Sequence, residues 1–237
     1  MPTQVGNLVV FGDIEKKWLS LGGLGGRLGA PLNNETPTFD DTGRFQDFQS
    51  GQTIVWHPNT GAHLVYGAIG VRWRQIGREQ FGYPINDETS CPDQVGRFNH
   101  FRAMQRPGRP EASIYWTPAT GPHEVYGAIR DRWAQMGWEK SALHYPLEEE
   151  RDQPGGGRMQ RFQGGMMRWT SAGGAHEHIG EGVPVPHIQL RAILDGGRFI
   201  EVQGDSFTGG NSAEVAYDLF AGGGPTTHQT GTHIVAV

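Results

Sequence analysis

Three histidines recur at one equivalent position along the chain, His63, His123 and His176. Imidazole nitrogens bind zinc, and three histidines around one open coordination position would make a catalytic zinc site. Copies of a residue in a repetitive chain usually serve each copy separately, however, and no acidic residue that would orient these imidazoles is identifiable. We therefore expect each histidine to stabilise a turn or to hydrogen-bond a ligand, and we predict neither a metal site nor a cofactor.

Three arginines also recur, each directly after a glycine: Arg44, Arg97 and Arg158. One interpretation is a salt bridge to the acidic residues just upstream, which are Asp40 and Asp41, then Asp87, Glu88 and Asp93, and then Glu148, Glu149 and Glu150. The other is a planar guanidinium fork that binds a polar or anionic glycan through paired hydrogen bonds. The sequence leaves both interpretations open.

Aromatic side chains could stack on the apolar faces of sugar rings. Three tryptophans each follow an isoleucine by four residues, which puts both on one helix face and predicts core packing; they are Trp18, Trp73 and Trp133. Core packing is also favoured for three that lie in phase with an apolar strand residue, namely Trp56, Trp116 and Trp169. The aromatic residues expected nearer the surface are Tyr66, Tyr83, Tyr115, Tyr126 and Tyr145.

Hydrolytic chemistry is the competing interpretation. The sequence has no Gly-x-Ser-x-Gly, His-Glu-x-x-His or phosphate-binding glycine loop. His176 and Glu177 could chelate a metal, and Ser206 lies in a Gly-Asp-Ser block that is similar to a nucleophile block. These residues are the candidates for a hydrolase that acts on esters or amides.

The elements that must position these residues come from an internal repeat. Each copy begins Gly-x-Ile-x-x-x-Trp, at Gly12, Gly67 and Gly127. A glycine, a tetrapeptide that ends in proline, a Gly-Arg pair and a strand that ends in tryptophan then follow in the same order. We number the copies as the first unit (residues 7–62), the second (63–122) and the third (123–181).

Each unit combines a short helix, which ends at a glycine, with a strand and a tight turn that make a hairpin. The strand triplets are Ile54-Val55-Trp56, Ile114-Tyr115-Trp116 and Met167-Arg168-Trp169. Because the middle residue varies from valine to arginine, the pattern predicts a strand with one buried face. One unit is too small to bury its own core. We therefore predict an α+β fold of tandem helix-plus-hairpin repeats packed side by side, either open or closed into a ring, followed by a small all-β segment.

After two prolines the pattern changes, so we place a repeat domain at 1–183 and a small β-rich segment at 187–237. The second segment has the alternating apolar residues of strands but too few strands for a whole sandwich. It could be immunoglobulin-like, or it could donate a strand to a partner or to a second copy of the chain. A protein-interaction module is therefore a third functional interpretation.

Composition excludes several classes. The 237 residues carry a net charge of -5, so we expect no nucleic-acid partner. No segment is long and apolar enough for a signal peptide or a membrane span. The single cysteine, Cys91, excludes an intrachain disulfide. A cytoplasmic location therefore stays open.

The repeated anchors, above all Phe81-Gly82-Tyr83-Pro84, resemble the LGFP repeat, which occurs in tandem on actinobacterial cell-wall proteins. The resemblance spans about residues 7–181. It implies an extracellular or cell-wall location and attachment to a polysaccharide such as arabinogalactan or peptidoglycan. For the hydrolase interpretation, the resemblance implies cell-wall esters or amides as substrates. We accordingly predict a noncatalytic, lectin-like adhesion module with several equivalent shallow sites. The predicted ligand-binding residues are Arg44, His63, Tyr66, Tyr83, Arg97, His123 and Tyr126.

Overall fold

The computed structural model describes residues 2–108, 110–153 and 155–180, and further on the backbone of four strands at 191–195, 198–203, 214–218 and 230–234. The chain divides into two compact regions, Met1–Pro184 and Val185–Val237. The α+β class is confirmed, because helices and antiparallel strands alternate along the first of them.

The described residues form three α-helices, α1 (Gly12–Ser20), α2 (Gly67–Gln75) and α3 (Gly127–Met136). The strands up to the second helix are β1 (Thr3–Val5), β2 (Leu8–Val10), β3 (Thr36–Pro37), β4 (Arg44–Asp47), β5 (Thr53–His57) and β6 (Gly61–Val65). Those up to the third helix are β7 (Tyr83–Pro84), β8 (Thr89–Ser90), β9 (Arg97–Arg102), β10 (Glu111–Thr117) and β11 (Gly121–Tyr126). The rest are β12 (Arg151–Asp152), β13 (Arg158–Phe162), β14 (Gly165–Thr170), β15 (Gly174–Ile179), β16 (Arg191–Asp195), β17 (Arg198–Gln203), β18 (Glu214–Asp218) and β19 (Thr230–Ile234).

Three antiparallel sheets recur in the repeat region. Their strand orders are β3-β4-β5-β6, then β7-β9-β10-β11 with β8 also paired to β9, and then β12-β13-β14-β15. Strands β1 and β2 form a separate pair. Each sheet is therefore larger than the predicted hairpin, because short strands after the helix extend it. Closure of the units into a ring stays a prediction.

The helices are built as the spacing predicts. Ile14 and Trp18 of α1 are 2% and 1% exposed, and the equivalent pairs in α2 and α3 are as deeply buried. A glycine in the left-handed conformation follows each helix, with φ of 97° at Gly22 and 101° at Gly137. Glycine has no Cβ, so it adopts this left-handed conformation at little cost in free energy and can end the helix.

The buried apolar side chains form three core clusters, each of which contains the tryptophan of one helix, and the first cluster includes Leu64 of the second unit. The first core contains Val10, Ile14, Trp18, Leu28, Phe48, Ile54 and Leu64. The second contains Val55, Val65, Ile69, Trp73, Phe81, Tyr83, Phe101, Ala112 and Ile114. The third contains Cys91, Tyr115, Val125, Ile129, Trp133, Leu143, Tyr145, Phe162 and Met167. Trp56, Trp116 and Trp169 are only partly buried and pack against these cores.

Neighbouring cores share strands, which the sequence did not predict. In β5, Ile54 belongs to the first core and Val55 to the second. In β10, Ile114 belongs to the second and Tyr115 to the third. The prediction of one buried face is therefore wrong for these two strands, because successive side chains point to opposite faces and each face meets a different core. Only the third strand has a partly exposed middle residue, Arg168.

The predicted exposure of Tyr83, Tyr115 and Tyr145 is also wrong, since they are 0%, 2% and 4% exposed. The Tyr83 hydroxyl lies 2.7 Å from Thr38 Oγ1 and 2.5 Å from Asp40 Oδ1, both in the first unit. The buried ring thus fills the second core while its polar tip reaches partners in the preceding unit.

Tyr145 makes the equivalent contact with the second unit. Its hydroxyl lies 2.8 and 2.7 Å from the two carboxylate oxygens of Asp93 and accepts the Gly96 N–H at 3.1 Å. A Cβ on Gly96 would lie 2.5 Å from the Tyr145 ring, and one on Gly43 would lie 2.5 Å from the Tyr83 ring. The glycine of the Gly-Arg pair therefore makes room for the tyrosine of the next unit.

The second compact region, Val185–Val237, contains two antiparallel strand pairs, β16 with β17 and β18 with β19. Its immunoglobulin-like or strand-donating nature stays a prediction. Residues 204–213, with the candidate nucleophile Ser206, lie outside the described residues.

Candidate functional site

Each unit brings together a residue just before the helix, an acidic residue after the tetrapeptide and the Gly-Arg arginine. In the second unit, Arg97 on β9 donates to the Tyr66 hydroxyl at 2.8 Å and to a carboxylate oxygen of Glu88. Glu88 comes directly before β8, whose Ser90 pairs with Arg97 and accepts a third hydrogen bond from it at 3.1 Å. The guanidinium of the second unit is therefore neutralised and held by its own unit.

The third unit repeats this arrangement. Arg158 on β13 donates to Glu150 Oε1 at 2.8 Å and to Asp152 Oδ1 at 2.5 Å. Burial raises the pKa of Tyr126, while a hydrogen bond with Arg158 opposes that rise. The salt-bridge interpretation of the recurring arginines thus holds in the second and third units.

The first unit differs because Phe11 takes the place of the tyrosine. Its arginine, Arg44, donates to the backbone oxygens of Asp41 and Gly43 at 3.2 and 2.7 Å. No ion pair within 4.0 Å joins Arg44 to Glu35 in the described part of the chain. Glu35 Oε1 is shielded from solvent and has no hydrogen-bond partner. The same three positions are therefore open in the first unit and closed in the other two.

A cleft of about 410 Å³ lies at these open positions. Its walls are formed by Phe11, Gly12, Asp13, Ile14, Glu35, Thr42, Arg44 and Trp56. Phe11 is 46% exposed, so its ring is accessible from solvent. Trp56 donates its indole N–H to Asp13 at 3.1 Å, which fixes the second aromatic wall. Two aromatic rings, two carboxylates and a guanidinium thus face one space.

The two carboxylates of the cleft titrate differently. The hydrogen bond from Lys16, at 2.7 Å, is the main cause that lowers the pKa of Asp13 below its ordinary value. Burial raises the pKa of Glu35 to about 7, although the Phe11 N–H and the charge of Arg44 oppose this effect. At neutral pH Asp13 is therefore charged, and Glu35 exchanges between an acceptor and a donor of hydrogen bonds.

The recurring histidines lie on hairpins and contact their own turns. His63 Nε2 and His123 Nε2 each donate to a turn carbonyl at 2.8 Å, that of Thr60 and Thr120. His176 Nε2 makes the same contact with Gly173 at 2.5 Å. Each imidazole thus stabilises one turn, which was the first of the two roles expected from the sequence. The second role, a hydrogen bond to a ligand, stays a prediction.

The two described candidates for hydrolysis also have structural contacts. Glu177 accepts two hydrogen bonds from Arg132, at 2.8 and 2.7 Å. Arg72 and Glu124 make the equivalent pair one unit earlier, at 2.7 and 2.8 Å. Glu177 is therefore one copy of a recurring ion pair between a helix and a strand.

The structure brings together some predicted site residues and separates others. Tyr66 and Arg97 are in contact, Arg44 lines the cleft, and Tyr83 is buried away from solvent. The sequence analysis did not predict Phe11, Asp13 and Glu35 as site residues. One repeated feature could have indicated Glu35: each copy has a glutamate four positions after the tetrapeptide proline, namely Glu35, Glu88 and Glu150.

Side chains that could ligate a metal meet at one place in the described ranges. Cys91, Asp93 and Glu139 each offer one ligand atom, and these atoms lie within 4.8 Å of one another. None of the three residues lines the cleft.

Comparison with known proteins identifies the repeats. The family model of the LGFP repeat matches residues 28–80, 81–141 and 143–182, which together make up more than half of the chain. The comparison with curated proteins gives no match. None of the described helices has the length and apolar character that crossing a membrane requires. The three matched segments contain the three Gly-Arg pairs and the three recurring sheets of the repeat region. The chain therefore belongs to the LGFP repeat family.

Proposed function

We propose that the repeat region is a noncatalytic carbohydrate-binding module that attaches its protein to a cell-wall polysaccharide, with the first-unit cleft as the principal site. The observation that carries this function is the open arrangement of Phe11, Glu35 and Arg44 beside Trp56. The counterparts of the first three residues in the second unit, Tyr66, Glu88 and Arg97, are joined by hydrogen bonds. Membership in the LGFP repeat family supports the cell-wall location.

The chemistry of the cleft suits a sugar ring. The aromatic rings of Phe11 and Trp56 offer apolar plates for the C–H face of a pyranose or furanose. Sugar hydroxyls both donate and accept, so they match the carboxylate of Glu35 and the guanidinium of Arg44 at once. A hydroxyl that enters the cleft would give Glu35 Oε1 the donor that it lacks. The volume of about 410 Å³ lies in the range of small-ligand sites.

The equivalent positions of the other units would bind more weakly. A ligand must there compete with the hydrogen bonds that join Tyr66, Glu88 and Arg97. His63, His123 and Tyr126 are partly buried and could add contacts beside these positions, whereas Tyr83 is left out because its ring is buried. If the helix-plus-hairpin units stack side by side, open or as a ring, several weak sites on one scaffold raise the retention on a polymer.

Binding measurements with a matched pair of variants test this function. Arg44→Met removes the guanidinium of the cleft but keeps an apolar stem, and Arg106→Met removes the same charge from an exposed site outside the cleft. We expect Arg44→Met to weaken binding to arabinogalactan or peptidoglycan fragments about tenfold or more, which corresponds to the loss of one charged hydrogen bond. Arg106→Met should bind as the unmodified chain does.

Two results would overturn the assignment. Equal binding by both variants would remove the cleft from the site. Reproducible cleavage of the same polysaccharides or of their ester and amide groups, abolished by a substitution in the cleft or at Ser206, would replace binding by hydrolysis. The proposed self-association through residues 187–237 is separate and is tested by the mass of the chain in solution.

A further inference from the structure

The contacts between successive units differ at one corresponding loop. Between the first and second units, the Phe39 N–H donates to Glu79 Oε1 at 3.1 Å. The Thr38 hydroxyl donates to Asp40 Oδ1 at 2.7 Å. The loop of the first unit thus gives Oε1 of the buried Glu79 a donor, while Glu79 Oε2 has no hydrogen-bond partner. The hydroxyl and the carboxylate of this loop stay in contact with each other.

Two substitutions remove these contacts between the second and third units. Cys91 stands where the first loop has Thr38, and Pro92 stands where it has Phe39. Proline has no backbone N–H to donate. Glu139, the counterpart of Glu79, is 4% exposed, and its Oε1 has no hydrogen-bond partner. Such a buried and unpaired oxygen costs free energy unless something binds it.

The same loop places two further ligands beside the Glu139 carboxylate. One ligand atom from each of Cys91, Asp93 and Glu139 lies within 4.8 Å of the other two. We propose that these three residues form a binding site for a divalent metal ion of borderline softness, such as Zn²⁺. A thiolate disfavours Mg²⁺ and Ca²⁺, which prefer oxygen ligands, whereas zinc accepts sulfur and carboxylate oxygen together.

The size and charge of the site fit such an ion. Zinc binds sulfur at ~2.3 Å and carboxylate oxygen at ~2.1 Å, so tetrahedral ligands lie about 3.5 Å apart. Small side-chain rotations would close the remaining distance, and a water would fill the fourth position. Two carboxylates beside the buried thiol supply ligands whose negative charge suits a divalent cation.

The ion would join two units. Cys91 and Asp93 belong to the loop between β8 and β9, and Glu139 belongs to the 3-10 helix Trp138–Lys140 that follows α3. Tyr145 of the third unit already contacts Asp93. The free energy of metal binding would therefore add to the stability of the contact between the second and third units.

Titration of the whole chain with Zn²⁺ and Co²⁺ tests the site. After treatment with a chelator and its removal, we expect one equivalent of Zn²⁺ to bind and to raise the thermal midpoint. Co²⁺ should give the absorption band of a thiolate-to-metal transition, and Zn²⁺ should abolish it. The band reports on the only cysteine of the chain, so histidine-bound metal does not contribute to it.

Three variants separate a site from a structural effect. Cys91→Thr copies the first loop and should remove the cobalt band, and Glu139→Gln should weaken Zn²⁺ binding about tenfold or more. Glu79→Gln, at the corresponding place between the first and second units, should leave binding unchanged. Absence of the cobalt band, or Zn²⁺ binding of equal affinity in Cys91→Thr, would overturn the assignment. If Glu139→Gln does not fold, Cys91→Thr decides the question.

Discussion

Removing the charge of Glu35 should stabilise the repeat region above neutral pH. The pKa of this carboxyl is raised from 4.5 to about 7, chiefly by burial. The folded state therefore holds a proton between these two values that the unfolded state releases, and stability falls as the pH rises through this window. Glu35→Gln keeps the shape of the side chain but has no proton to lose.

The size of the effect follows from the same values. At ~1.4 kcal/mol per pH unit, the rise of the pKa from 4.5 to about 7 sets a ceiling of about 3 kcal/mol. Glu35 is only partly buried and lines an open cleft, so solvent screens its charge. We expect Glu35→Gln to be more stable than the unmodified chain by about 1–2 kcal/mol at pH 8.5.

Urea unfolding at several pH values measures the difference. The two proteins should have similar free energies of unfolding at pH 4, where Glu35 is protonated, and should diverge between pH 4.5 and 7. Asp41→Asn removes an exposed charge from the same unit and controls for the change in net charge. A constant difference at every pH, or a less stable Glu35→Gln at pH 8.5, would refute burial as the cause of the raised pKa of Glu35.

The contacts between units and the recurring ion pair give two further predictions. Gly96→Ala should lower the free energy of unfolding by about 1–3 kcal/mol, because its Cβ would lie 2.5 Å from the Tyr145 ring. Gly25→Ala is the control: its Cβ would meet no atom within 4 Å, and the free energy of unfolding should change by less than about 0.5 kcal/mol. Similar stabilities of these two variants in urea would contradict the close approach. Two hydrogen bonds from Arg132 lower the pKa of Glu177 to about 2, so Glu177→Gln should cost about 1 kcal/mol at pH 7, and the cost should fade as the pH falls from 4.5 through 2. An undiminished cost at low pH would show that the ion pair is not its cause.

The helices could be predicted from the sequence because their signals are local. Ile14 and Trp18 lie one helical turn apart, and the glycine that ends the helix follows within the same short segment. No knowledge of the neighbouring unit is needed to place this pair in a core. The repeated order of the anchors then transfers the same result to the other two units.

The burial of the strands could not be predicted because it depends on contacts between units. Arg168 in the third copy indicated an exposed face, yet Val55 and Tyr115 at the same position are buried against the next core. Tyr83 was misplaced for a similar reason. Its hydroxyl finds Asp40, which lies 43 positions earlier in the chain, and an amphipathic side chain gives no local sign of such a partner.

The sequence predicted the kinds of partner that the recurring arginines have, but it did not predict that the open cleft lies in the first unit. Arg97 was expected to meet either an upstream acid or a glycan, and Glu88 was among the acids considered; the structure shows that pair in contact. The open first unit required two further facts, that Phe11 replaces a tyrosine and that Arg44 turns to backbone oxygens. The first can be read from the sequence, whereas the second depends on the folded structure.

Differences between the copies indicate function better than their shared residues do. The glycines and tryptophans that all copies share, and the tetrapeptide tyrosines of the second and third copies, make cores and contacts between units. A substitution that instead leaves a buried polar atom unpaired is unfavourable for folding, because it removes a hydrogen bond without removing its partner. Such substitutions lie beside two carboxylates of the described chain, each of which has a buried oxygen without a hydrogen-bond partner. They are Phe11 next to Glu35, and Pro92 next to Glu139. At each place further polar groups lie beside the carboxylate and could bind the same ligand. A ligand that supplies the missing partner would offset the cost of both substitutions, and this common feature links the proposed glycan cleft to the proposed metal site.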